Sequence, residues 1–78
     1  MRRSLAELPP GQQATVVRVV AEAPEVGRRL ADLGFTAGTA VQVVRRAPLR
    51  DPVIYLIHGY ELCLRRAQAA CVLVEVAS

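Results

Sequence analysis

A chain of 78 residues has room for one domain, and one this short buries only about 60% of the surface its unfolded form exposes, so its stability is marginal, about 5 kcal/mol. Hydrophobic residues make up 53% of it, yet it holds one Phe, two Tyr and no Trp, so the core must be aliphatic and rich in Val, Leu, Ala and Ile. The net charge is +3, and the ten basic residues, all Arg, fall mostly in pairs among acids, which reads as a solvated surface of both signs rather than a nucleic-acid footprint.

Ser4 can cap the short turn "SLAEL", with Glu7 at the spacing of a capping box, and Pro9-Pro10-Gly11 stops it. The β-branched run Ala14 to Ala21 reads as a first strand. Pro24 opens a helix predicted over Pro24–Leu33, where Val26, Leu30 and Leu33 make one apolar stripe. Glu25 and Arg29 lie one turn apart on its outer side, and Asp32, unfavourable at the helix C-terminus, is expected to pair with Arg28. Gly34 ends this helix in a left-handed cap. A turn through Gly38 leads to a second strand, "TAVQVVRR". "APLRDP" is a loop stiffened by Pro48 and Pro52, and "VIYLI" is a third strand. His58-Gly59 has the length of a hairpin turn, and "YELCLR" returns as a fourth strand with Glu61, Cys63 and Arg65 on the face opposite Leu62 and Leu64. A helical turn, "RAQAA", precedes a fifth strand, "CVLVEV".

Five short strands and one inserted helix predict a mainly β protein, a small partly open barrel occupying residues 1–78 as a single domain. The edge between its first and last strands needs cover, and the helix can plug one end of the barrel. Residues 4–13 contain no apolar segment behind Arg2 and Arg3, so no leader peptide is expected. The longest apolar run is far short of the ~20 residues of a membrane span. A cytoplasmic location follows, with Cys63 and Cys71 as thiols.

In this order the residues resemble the FeoA family, the small protein of bacterial ferrous iron transport. The resemblance lies in Leu5, Leu8 and Gly11, then Leu33-Gly34-Phe35, Gly38, Ala47-Pro48-Leu49 and Asp51-Pro52. It continues through Gly59, Leu62, Leu64 and Arg65 to the closing valine strand. It implies an SH3-like barrel and a non-enzymatic cytosolic accessory protein. The implied partner is FeoB, the membrane ferrous iron permease with a cytoplasmic GTPase domain, which it would regulate or help assemble. The same module ends repressors of the diphtheria-toxin-repressor type, but no helix-turn-helix precedes it here. The matching positions are mostly turn residues, with Gly34, Gly38 and Gly59 where a Cβ would clash and Pro48 and Pro52 in a stiff loop, so they identify fold better than chemistry.

Catalytic patterns are absent: without lysine there is no phosphate loop of the Gly-Lys-Ser/Thr kind, and His58 is the only histidine. His58, Glu61, Cys63 and Cys71 are the one candidate metal set, but no Cys-x-x-Cys or His-x-x-x-His spacing supports it. The expectation is no firm cofactor, at most a weakly held divalent transition metal. Three aromatic residues are too few for a nucleic-acid stacking platform, so no nucleic-acid partner is expected. Protein binding remains, with Arg28, Arg29 and Asp32 on the outer helix face and Arg50 and Asp51 on the stiff loop together forming the candidate partner surface. An exposed strand edge leaves room for a homodimer.

Overall fold

The computed structural model describes residues 1–76; positions 77 and 78 of the expected domain lie outside the described residues. Six strands form one antiparallel sheet: β1 (Arg2–Ser4), β2 (Gln13–Val19), β3 (Ala40–Arg46), β4 (Val53–Ile57), β5 (Tyr60–Leu64) and β6 (Val72–Glu75), in the order β1-β6-β2-β3-β4-β5. Two helices interrupt them, α1 (Pro24–Asp32) and the single turn α2 (Arg66–Ala69), with 3-10 turns at Leu5–Glu7 and Pro48–Arg50. Among the described residues no helix is long and apolar enough to cross a membrane.

Alternation builds the core. In β4, Val53, Tyr55 and Ile57 point inward, and in β2 and β3 so do Ala14, Val16, Val41 and Val43. β-bulges between Val16 and Arg18 and between Val43 and Arg45 bend the two central strands, which rolls the sheet around one cluster. Phe35 and Tyr55, the largest side chains in it, are fully buried.

Two expectations need correction. The barrel has six strands, not five, because Arg2–Ser4 pairs with β6. Three residues of Arg-Arg-Ser carry no apolar alternation, and a short charged strand at a sheet edge is how proteins protect that edge. As expected of a partly open barrel, the sheet is not closed, β1 and β5 being its free edges. The edge expected between the Ala14–Ala21 strand and the closing valine strand is not an edge, because β2 and β6 pair. The α1 stripe packs on the core as expected, with Leu30 fully buried and Val26 and Leu33 half-buried. The Leu5–Glu7 turn and α2 pack against each other, burying Leu5 and Ala69 completely.

The predicted caps form. The Ser4 hydroxyl accepts the Ala6 N–H at 3.2 Å, and the Glu7 carboxylate accepts the Ser4 N–H at 3.1 Å. α1 ends one residue earlier than expected, with Leu33 as its cap. The Phe35 N–H returns to the Leu30 carbonyl and the Gly34 N–H to that of Ala31, each at 3.0 Å. This is a Schellman motif with its hydrophobic pair, Leu30 and Phe35, buried beneath it.

Candidate functional site: two ends of the barrel

One end is built where α1 meets the β4–β5 hairpin. His58 and Gly59 both have positive φ, +51° and +82°, which makes the turn type I′. The His58 ring lies against Gly34, so close that a Cβ there would stand 2.6 Å from its Cδ2. The Tyr60 hydroxyl donates to the Leu33 carbonyl at 3.2 Å. Gly34 is thus required twice, by a φ of +109° and by the ring on top of it. Glu25, Arg28, Arg29 and Asp32 are exposed along α1, around a shallow concavity that Val26 floors. Among the described residues neither Asp32 and Arg28 nor Glu25 and Arg29 come within ion-pair distance; the expected Asp32–Arg28 pair is not formed, and all four side chains face solvent.

The other end is built where β3, β4, β5 and α2 meet. β4 separates it from the hairpin turn by about 13 Å of strand. Arg46 pairs across to Val53, Val53 to Leu64, and Arg65 and Arg66 follow at once. Asp51 accepts the Arg66 backbone N–H at 3.0 Å and stands 4.0 Å from the Arg65 guanidinium. Between Ala47 and Pro52 the chain folds back through bonds from the Ala47 N–H to the Pro52 carbonyl (2.9 Å) and from the Arg50 N–H to the Ala47 carbonyl (2.8 Å). This places Leu49 and Arg50 at φ +68° and +65°, a conformation that costs a non-glycine residue about 1–3 kcal/mol. Leu49 is 97% exposed at the tip.

The residues proposed as one partner surface therefore lie at two ends. Arg28, Arg29 and Asp32 stand on α1 beside the hairpin turn, whereas Arg50 and Asp51 are on the opposite loop, and Asp51 is engaged in holding that loop to α2. The metal candidates are also spread. Glu61 and Cys63 are exposed on β5, and His58 packs on Gly34. Cys71 lies half-buried beyond α2, its thiol directed at the Ala67 carbonyl (3.5 Å). Among the described residues no three His, Cys, Asp or Glu side chains are grouped to hold one ion. Both cysteines are free thiols.

Sequence reading missed the basic end. The pairs Arg45-Arg46 and Arg65-Arg66 looked scattered, but each lies at the C-terminus of a strand, and β4 pairs with both strands. Their recurrence after two strands flanking a common one was the available signal. Of the three aromatics, Phe35 and Tyr55 are buried and only Tyr60 is exposed, so no stacking platform forms. The Tyr55 hydroxyl is buried with no hydrogen-bond partner among the described residues. Burial pushes its pKa up to about 12, opposed by the charges of Arg46 and Arg66.

Fold and site together define a small β-module whose polar chemistry lies on its surface, at two separate charged ends. The chain belongs to the FeoA domain family, which residues 3–76 match. Over 75 residues it is 48% identical to a Fe(2+) transport protein A/Fe(2+) transporter FeoB fusion protein of Porphyromonas gingivalis; the match covers 95% of the chain but only 9% of that relative. The solution structure of FeoA protein from Chlorobium tepidum superposes with a TM-score of 0.87 at 41% identity, over 97% of this chain and 71% of that one. The FeoA of Stenotrophomonas maltophilia, solved in complex with zinc and described as a prokaryotic SH3 domain protein, superposes at 0.83 with 30% identity, over 94% of this chain and 89% of that one. The fold is SH3-like, as the sequence implied, with its sheet left open.

Proposed function

We propose that this protein is a non-enzymatic accessory of ferrous iron uptake that binds a FeoB-type permease and regulates or assembles it. The observation that carries the reading is the relative in which a segment 48% identical to nearly the whole chain is fused to FeoB. Fusion holds two modules at high effective concentration, which is useful when the separate proteins must meet. The α1 face is the contact surface of this reading: its four charged side chains are exposed and uncommitted to one another, and arginine suits bidentate contact with carboxylates. The protein would act from the cytoplasmic side, where the GTPase domain lies.

The test is calorimetric titration into the permease's purified GTPase domain, with GDP and with a GTP analogue. Saturable binding that Arg28→Glu with Arg29→Glu removes, while the variant unfolds at the wild-type midpoint, supports the reading. Binding unaffected by the double variant removes the α1 face from it. No binding to the full-length permease in membranes refutes it.

A second reading, weak binding of a divalent transition metal, is favoured by the zinc of the Stenotrophomonas relative. Cys63 and Cys71 would have to move toward His58 and Glu61 to share an ion. Unchanged Fe(II) and Zn(II) isotherms in a Cys63→Ser, Cys71→Ser variant would eliminate these thiols as ligands.

A further inference from the structure

We infer that the basic end docks on an anionic lipid surface, with Leu49 reaching into the headgroup layer. The charge is unevenly divided. Segments 45–53 and 64–66, with the Leu5–Glu7 turn packed against α2, hold five arginines (Arg45, Arg46, Arg50, Arg65 and Arg66) and two acids, Glu7 and Asp51. That is a net +3; the rest of the chain, with five arginines and five acids, is neutral, so all of the overall +3 lies at this end. Asp51 is bonded to the Arg66 N–H, and Glu7, next to the Leu8 carbonyl that accepts from Arg46, is turned to its own cap.

The chemistry of this end suits a lipid surface. Leu49 stands at the loop tip, 97% exposed, among the arginines. Its backbone and that of Arg50 are held left-handed by the loop's own bonds, so the side chain is presented on a fixed support rather than a floppy one. An apolar tip among guanidinium groups matches a leaflet whose phosphates are at its surface and whose acyl chains begin just below. One leucine alone anchors weakly, so attraction must come mainly from the arginines and weaken with salt. With this end on the leaflet, α1, at the opposite end of β4, is turned toward solution. The inference stands apart from what α1 binds.

The experiment is co-sedimentation of the whole protein with phosphatidylcholine vesicles, with and without phosphatidylglycerol, at low and physiological salt. Binding is expected only with phosphatidylglycerol and to fall with salt. Arg45→Glu with Arg50→Glu should weaken it at least about tenfold. Leu49→Asn, whose new side chain tolerates positive φ, should weaken it severalfold. Arg28→Glu with Arg29→Glu should sediment like the wild type, which separates this inference from the permease contact. No binding at low salt, or equal binding to neutral vesicles, overturns it. So does loss of GTPase-domain binding in the Arg45→Glu, Arg50→Glu variant without any vesicle binding by the wild type; the basic end would then be a protein-docking site.

Discussion

Tyr55→Phe is the sharpest test of how this core is balanced. Tyr55 is wholly buried on β4, and its hydroxyl has no partner among the described residues. A hydrogen-bonded buried hydroxyl would cost about 1 kcal/mol to delete, whereas an unpartnered one already carries a desolvation penalty of about 1–3 kcal/mol. The expected result is a variant equal to the wild type or about 1 kcal/mol more stable at neutral pH. Alkaline pH supplies a second readout. Burial raises the tyrosine pKa from 10.0 to about 12 on folding, so the folded state holds the proton more tightly. This contribution is complete below the unfolded value of 10.0 and is lost as pH climbs through the folded value of about 12. Two units of difference set a ceiling of about 2.7 kcal/mol. Urea denaturation of both proteins from neutral pH to the alkaline limit measures this directly, since the two proteins differ only in this hydroxyl. A loss of more than about 1 kcal/mol at neutral pH, or an alkaline decline unchanged in Tyr55→Phe, would refute the argument; the first result would mean that the hydroxyl is hydrogen-bonded after all.

Two further substitutions probe the ends of the barrel. Gly34→Ala should cost about 1–3 kcal/mol in denaturant unfolding, from its positive φ and the overlap with His58; adding His58→Ala should restore only the overlap part, and full restoration would show that backbone conformation contributes nothing. Asp51→Ala should cost about 1 kcal/mol by leaving the Arg66 N–H without its acceptor, and Asp51→Asn, which keeps an oxygen there, should cost less; equal losses would assign the effect to charge instead.

Much of this fold is legible locally. Ser4 with Glu7, Pro24, Gly34 and the His58-Gly59 turn all act within a few residues of themselves, and each forms as its sequence predicts. The strand β4 was read residue for residue, because five consecutive apolar residues between a proline loop and a turn leave little choice. β1 escaped because an edge strand is recruited by its neighbour: Arg2, Arg3 and Ser4 are extended since β6 offers them hydrogen bonds, not from any preference of their own. The candidate site was read less well for the same kind of reason. Arg28, Arg29 and Asp32 were placed correctly on an exposed helix face, but nothing in their spacing shows that Arg50 lies at the far end of the barrel.

The sequence by itself determined where the chain turns, where its helix caps and which side chains are apolar, because those properties depend on neighbours within one or two turns. It determined the family too, through the order of its turn glycines and prolines. Only the tertiary structure decided which charges stand together. Arg45-Arg46 and Arg65-Arg66 are some 20 residues apart in the chain, yet antiparallel pairing through β4 brings both to one end. Charge interaction depends on distance in space, and register, which sets that distance, is a property of the assembled sheet.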